Sequence, residues 1–207
     1  MYKFLEKSRL SYLRSAASDE DEQPLMYNKG QSQGYIPYQK GALVFYAMSD
    51  YLGEEKFHAA IREYVERVRF KLAPYTTSVE LVNHLKAATP DSLQYLITDL
   101  FETITLYDNR MVDAQVTLLE NGQYQVDMEF LVRKYRKGQQ DQVLPLNDYL
   151  GIGIFGENGK ELYLRKHLIT QQENTLTLVV DERPVEVGID PFVKMIDREG
   201  RDNKIEL

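Results

Sequence analysis

The stretch Gly34-Tyr35-Ile36-Pro37-Tyr38-Gln39-Lys40-Gly41 lies directly before an apolar run, residues 42–48, and marks the start of a helix that organises the first half of the chain. Pro37 lacks a backbone N–H, which costs nothing in the first turn of a helix. The pattern predicts a central helix over residues 37–52 that ends at Gly53. Because apolar residues cover most of its circumference, we expect burial on several sides.

Tyr38 falls in the first turn of this predicted helix, at the positive end of the helix dipole. A phenol held there can donate a hydrogen bond to developing negative charge, as a residue that stabilises an oxyanion must. Tyrosines also pack against helix ends, and the chain has 15 of them. The octapeptide alone therefore favours a structural role, and a catalytic role for Tyr38 depends on other parts of the sequence.

The composition is that of a globular protein and argues against several classes of function. The chain has 207 residues, 43% of them hydrophobic and 28% charged, which suits one large domain or two small ones. A net charge of -7 argues against a broad nucleic-acid surface. No run reaches the roughly 18 apolar residues of a membrane span. With no Cys, the sequence excludes disulfides and thiolate sites.

Helical periodicity dominates the first half of the chain. Thr77-Ser78-Val79-Glu80 is a capping box that predicts a helix start. The acidic residues 18–24 are interpreted as a solvated loop, with recognition of a peptide amino terminus as the alternative. The first helix has no capping residue before it, which indicates a cut within a longer protein. Besides the central helix, we predict helices over about 2–16, 54–70, 78–88 and 89–104.

After Leu106 the hydrophobic period changes from 3.6 to 2, which indicates strands. Asn121-Gly122 is typical of a β-hairpin turn, and Gly151-Ile152-Gly153 predicts a bulge or close packing inside a strand. The short, regularly spaced strands predict an antiparallel β-sandwich of the immunoglobulin or fibronectin type. The predicted strands are 112–118, 124–132, 149–155, 161–169, 175–180 and 185–189, followed by a polar tail from 199.

The fold class is therefore predicted to be α+β. An N-terminal helical domain over residues 1–107 precedes a C-terminal β-sandwich over residues 108–207.

No metal or nucleotide site is readable in the sequence. His58, His84 and His167 are far apart, without the i, i+4 spacing of a zinc-binding helix, and each is interpreted as a packing or surface residue. Phosphate-binding glycine loops and the Gly-x-Ser-x-Gly elbow are also missing. We expect this chain to bind no metal or cofactor by itself. Tyr46 is expected in the core, and Tyr35 at a cleft or packed as a staple.

Several segments in a fixed order resemble the zinc-dependent aminopeptidase N family of gluzincins. In that family a Tyr-x-Lys-Gly element follows the zinc-binding helices, and its Tyr donates to the oxyanion of the tetrahedral intermediate. The matching residue is Tyr38, which the resemblance makes the candidate catalytic residue. The segments are Tyr35-Ile36-Pro37-Tyr38-Gln39-Lys40-Gly41-Ala42, Leu52-Gly53-Glu54-Glu55-Lys56-Phe57 and Tyr75-Thr76-Thr77-Ser78-Val79-Glu80-Leu81.

The closing part of the chain is similar to a bacterial subgroup of that family. In this subgroup the peptidase region is fused behind a multi-span permease related to ABC transporters. The resemblance therefore implies membrane association for the parent protein, with this part of it soluble. The matching segments are Pro184-Val185-Glu186-Val187-Gly188-Ile189-Asp190-Pro191, Ile196-Asp197-Arg198 and Asp202-Asn203.

The departures from the family decide what this chain is expected to do. The zinc motif His-Glu-x-x-His and the substrate-amine strand Gly-x-Met-x-Asn do not occur in it. The resemblance thus implies the C-terminal part of a zinc aminopeptidase, with its zinc ligands upstream of Met1 and no activity of its own. The implied partners are that upstream catalytic subdomain and a peptide substrate. A non-catalytic helical and β-sandwich interaction module is the alternative, and the apolar central helix allows a dimer.

Overall fold

The structure, a computed structural model, describes the backbone of residues 2–28, 32–138 and 140–207, with side chains from Leu5 onward in those ranges. The chain divides into two compact units, Met1–Thr105 and Leu106–Leu207, whereas the sequence pattern predicts a boundary after residue 107. Met1, where the pattern indicates a cut, lies outside the described residues. Among the helices that are described, none is long and apolar enough to cross a membrane.

The first unit is helical, as predicted. Its core includes Met48, Leu85, Leu96 and Phe101, all at most 2% exposed. The predicted fourth helix is instead a succession of short turns around α5, with a 3-10 turn before it and a π-helical turn after it. The helices are α1 (Tyr2–Ala17), α2 (Gly41–Leu52), α3 (Glu54–Val68), α4 (Ser78–Ala88) and α5 (Gln94–Ile97), and the flanking turns are Asp91–Leu93 and Thr98–Glu102.

Local signals set the ends of the middle helices. Gly53 ends α2 with φ of 86°, a conformation that only glycine adopts readily. The capping box at α4 is confirmed: the Glu80 N–H donates to Thr77 Oγ1 at 3.3 Å, and the Thr77 N–H donates to Glu80 Oε2 at 3.2 Å. Helix α3 ends at Val68 rather than near residue 70, because Arg69 leaves the helical conformation with ψ of 142° and Phe70 follows with a positive φ of 58°.

The second unit contains two antiparallel sheets, so the α+β class is confirmed. In one four-stranded sheet β2 pairs with β1, β3 and β6, and in the other the order is β5-β4-β7-β8. The strands are β1 (Thr105–Leu118), β2 (Tyr124–Arg136), β3 (Gln142–Val143), β4 (Asp148–Phe155), β5 (Glu161–Ile169), β6 (Glu173–Val180), β7 (Glu186–Ile189) and β8 (Lys204–Glu206).

Two strand boundaries correct the sequence predictions. Strand β1 begins at Thr105 rather than Val112. The sequence pattern missed these residues because the first three are all buried and do not alternate between buried and exposed. Strand β8 lies in the predicted polar tail, where Lys204 Nζ pairs with Glu186 Oε1 at 2.9 Å across the β7–β8 pair. The start of β1 and the whole of β8 depend on tertiary contacts, which a period-2 sequence pattern does not contain.

The closing Gly-Ile-Asp-Pro segment has a structural role in this unit. A Cβ on Gly188 would lie 2.9 Å from the Asn203 carbonyl oxygen, so only glycine fits there. The buried Asp190 carboxylate accepts from the backbone N–H groups of Lys194 and Met195 at 3.0 and 2.9 Å. Gly188 and Asp190 of this segment therefore determine the path of the chain between β7 and β8.

Candidate functional site

Tyr38 lies on a π-helical turn, Ile36–Lys40, that leads into α2. The sequence predicted an α-helix from Pro37, and the structure corrects this: the Gly41 N–H reaches back to the Ile36 carbonyl, which widens the turn. Pro37 has no backbone N–H, so it leaves no unsatisfied donor in this first turn. Such turns occur frequently at functional sites.

The Tyr38 side chain is 79% exposed and borders an open cleft of about 520 Å³. The cleft lies within the helical unit. Its lining is mainly apolar, and the Ser78 hydroxyl on its wall donates to the Met26 carbonyl at 2.7 Å. The lining residues are Leu25, Met26, Asn28, Pro37, Tyr38, Gly41, Ala42, Phe45, Ser78, Leu81, Val82 and Phe101. The phenol is thus accessible to a ligand.

Beneath Tyr38, the π-helical turn is fixed by a buried charged group that we call the Glu22 cluster: Tyr12, Glu22 and Lys40. Lys40 is fully buried and its Nζ lies 3.7 Å from Glu22 Oε1. The Tyr12 hydroxyl donates to the same oxygen at 2.6 Å, and Lys40 Nζ lies 5.4 Å from the centre of the Tyr12 ring. A buried carboxylate needs such partners, so the cluster ties α1, the acidic segment and the π-helical turn together.

The acidic segment is therefore only partly solvated, which corrects the sequence interpretation of residues 18–24. Glu22 is 7% exposed. Asp19 Oδ2 accepts from the Tyr35 hydroxyl at 2.9 Å and from Gln33 Nε2 at 2.8 Å. Gln33 also donates to the Asp21 carbonyl at 3.0 Å. The acidic segment is therefore hydrogen-bonded to Gln33 and Tyr35, the residues that lead into the π-helical turn.

Two tyrosines of this region are held in their neutral form. Burial, with the Glu22 charge as a second cause, raises the pKa of Tyr12 far above its usual value of 10.0. Burial also raises the pKa of Tyr35, and its hydrogen bond to Asp19 adds to the shift. Neutral phenols donate hydrogen bonds to carboxylates, so both tyrosines serve as fixed donors to the acidic segment.

The remaining candidate residues are not brought together. Tyr46 is half-buried rather than fully in the core. His58 Nδ1 lies 4.0 Å from Glu54 Oε1, His84 Nε2 lies 2.9 Å from the Ala60 carbonyl oxygen, and His167 Nε2 lies 2.7 Å from the Tyr163 hydroxyl. Among residues 2–28, 32–138 and 140–207, no group of three His, Asp or Glu could hold a metal ion.

Sequence reasoning missed the burial of Lys40. A lysine is almost never fully buried unless it is paired, and its partner Glu22 was assigned to a loop in solvent. The readable signal was helical phase: Ile36, Lys40 and Val44 recur every four residues, and all three are fully buried. Lys40 therefore shares the inward face of the chain, while Tyr38 occupies the outward one.

Comparison with known proteins adds no assignment to this geometry. No protein-family model matches the chain, and no curated protein matches its sequence significantly.

Proposed function

We propose that this chain is the C-terminal part of a gluzincin-type zinc aminopeptidase, in which Tyr38 donates to the oxyanion formed during peptide hydrolysis. The observation that carries the proposal is the exposed Tyr38 phenol at the border of an open cleft, on a turn anchored by the buried Glu22 cluster. A stabilising donor must be accessible and held in place before the reaction begins.

The residues that the structure describes do not fit a zinc site. Its three histidines have unrelated partners, and the described part of the chain offers no cluster of three metal-ligating side chains. No step through the metal is derived from these residues. The contribution of this chain is a hydrogen bond from Tyr38 Oη to a tetrahedral oxyanion, with the zinc ligands supplied by the upstream catalytic subdomain.

Other parts of the proposal rest on the sequence resemblance. The two sheets of the second unit are proposed to form a β-sandwich that braces the catalytic helices. The parent protein is proposed to be membrane-associated through a permease segment. Peptides are the proposed substrates.

The decisive experiment is the hydrolysis of aminoacyl anilides by the chain joined to the segment encoded upstream of it. We expect Tyr38→Phe to lower kcat by about 10²–10³ with little change in KM, because the hydrogen bond forms only in the transition state. The matched control is Tyr75→Phe, which removes a hydroxyl from a tyrosine with similar exposure, 77% against 79%. It should keep the full rate.

Two results would overturn the proposal. One is a Tyr38→Phe enzyme with the same kcat as the unmodified enzyme. The other is chelator-sensitive hydrolysis by the 207-residue chain alone, since that would require a metal site within it. Isothermal titration with Zn²⁺ should likewise show no tight binding to the isolated chain.

The mainly apolar lining of the Tyr38 cleft favours a second candidate function, a non-catalytic interaction module. A cleft lined by Phe45, Leu81, Val82 and Phe101 suits an apolar segment of a partner protein or of a second copy. The sequence encoded upstream distinguishes the two functions. The enzyme requires His-Glu-x-x-His with a distal Glu there, whereas the interaction module does not. Light scattering of the isolated chain tests the dimer form of this alternative.

A further inference from the structure

The α3–α4 loop, residues 69–77, presents large apolar side chains to solvent. Phe70 is 94% exposed, Leu72 88% and Tyr75 77%. Single exposed apolar residues are ordinary on protein surfaces, but several on one short loop form a patch. A patch of this kind marks a surface that meets another apolar phase or surface.

The charge of this region is opposite to that of the whole chain. Residues 67–77 contain three cations, Arg67, Arg69 and Lys71, and no Asp or Glu, whereas the chain carries a net charge of -7. The Arg69 guanidinium lies over the Phe70 ring at 5.8 Å. Arg67 and Lys71 line an adjacent open cleft of about 600 Å³, whose lining includes one carboxylate, Glu80. Cationic side chains therefore flank the apolar tip.

The base of the loop is held by side-chain contacts. The Tyr64 hydroxyl is hydrogen-bonded to the Thr76 hydroxyl, which donates to Glu80 Oε2 at 2.5 Å. At the other end, Arg69 pairs with Glu66 of α3 at 2.7 Å. Because the loop is anchored at both ends, less conformational entropy is lost when its tip binds.

We propose that the α3–α4 loop binds the surface of an anionic lipid bilayer. The three apolar side chains enter the head-group region, and Arg67 and Lys71 meet lipid phosphates, while Arg69 stays paired with Glu66. Binding to a membrane interface requires this combination of apolar area and basic charge. An anionic surface would repel the acidic remainder of the chain, so the basic loop would also select the orientation. This inference is independent of the peptidase proposal.

The chain contains no Trp, so Phe70→Trp gives a single fluorescent reporter at the tip. With vesicles of phosphatidylcholine and phosphatidylglycerol, its emission should shift to shorter wavelength and be quenched by lipids with brominated acyl chains. The matched control is Leu118→Trp, at an apolar residue 63% exposed at the end of β1. Its emission should not change. Circular dichroism verifies that both variants fold.

Second substitutions separate the apolar and electrostatic contributions. In the Phe70→Trp background, Lys71→Gln should weaken partition into anionic vesicles about fivefold. Leu72→Ser should weaken it roughly tenfold. Added salt should reduce the effect of Lys71→Gln and leave that of Leu72→Ser.

Three outcomes would overturn the proposal. The first is that the two Trp reporters respond alike, or that neither responds. The second is an equal response to pure phosphatidylcholine vesicles, since the basic residues would then have no role. The third is an emission shift that follows protein concentration without vesicles, which would assign the tip to contact between copies of the chain.

Discussion

Replacing Lys40 with Met tests whether the Glu22 cluster holds the helical unit together. Methionine fits the space of the aliphatic part of Lys40 and removes only the ammonium group. Lys40 is fully buried, and its Nζ lies 3.7 Å from Glu22 Oε1. In the variant, the Glu22 carboxylate keeps its hydrogen bond from Tyr12 but loses this cation. We therefore expect Lys40→Met to destabilise the unit strongly.

The expected loss follows from the distance between the two charges. At the 3.7 Å separation, two unit charges attract with about 4.5 kcal/mol at an effective dielectric constant of about 20. Removing one partner of a buried pair typically costs about 3–5 kcal/mol. By contrast, the Lys86–Glu102 pair of the same unit is 47% and 25% exposed. Lys86→Met should therefore cost less than about 1 kcal/mol.

Urea unfolding followed by far-ultraviolet circular dichroism reports mainly on the helical unit. With slopes of about 1–3 kcal/mol per molar urea, a loss of about 3–5 kcal/mol should lower the midpoint of Lys40→Met by roughly 1–5 M. In a double-mutant cycle with Glu22→Gln, the paired substitutions should cost at least about 2 kcal/mol less than the sum of the single ones. Additive single effects, or a Lys40→Met loss no larger than that of Lys86→Met, would refute the reasoning.

Three further predictions concern other elements of the chain. The raised pKa of Tyr12 contributes stability that is complete below the unfolded-state pKa of about 10 and is lost as pH rises above it. The urea midpoint should therefore fall as the pH is raised above about 10, and it should fall less in the Tyr12→Phe variant. Thr77→Ala removes the α4 cap and should cost about 1 kcal/mol in urea unfolding; a loss below about 0.2 kcal/mol would contradict the capping role. Gly188→Ala places a Cβ 2.9 Å from the Asn203 carbonyl oxygen and should cost about 1–3 kcal/mol, measured as a lowered thermal midpoint; an unchanged midpoint would show that the close approach relaxes freely.

Elements with local causes could be predicted from the sequence. Helix α4 begins where the capping box places it, because both of its bonds join residues three positions apart. Strand β8 was missed because the pairing of Lys204 with Glu186 depends on where β7 lies. Strand β1 was predicted too short because its first residues are buried together and lack alternation. Period and capping carry local information only.

The candidate site shows the same limit. The sequence places Tyr38 at a helix start and suggests its role by resemblance. It does not reveal that Glu22, in a run of acids, is buried against Lys40. Glu and Lys are residue types that are usually exposed to solvent, and only the fold brings these two together. The exposure of the α3–α4 loop is similarly invisible, since Phe70 and Leu72 look like core residues by type.

A second buried cluster of a carboxylate, an ammonium and a phenol indicates what the Glu22 cluster does. In the β unit, the Lys134 ammonium lies 3.0 Å from Asp148 Oδ1, and the Tyr107 hydroxyl donates to Asp148 Oδ2 at 3.3 Å. Lys134 Nζ also lies 5.9 Å from the Tyr107 ring centre, as Lys40 lies over Tyr12. Each unit thus buries a carboxylate by surrounding it with an ammonium and a phenol. Because this arrangement recurs in the β unit, far along the chain from the Tyr-x-Lys-Gly element, the Glu22 cluster is explained as structural support for the Tyr38 turn.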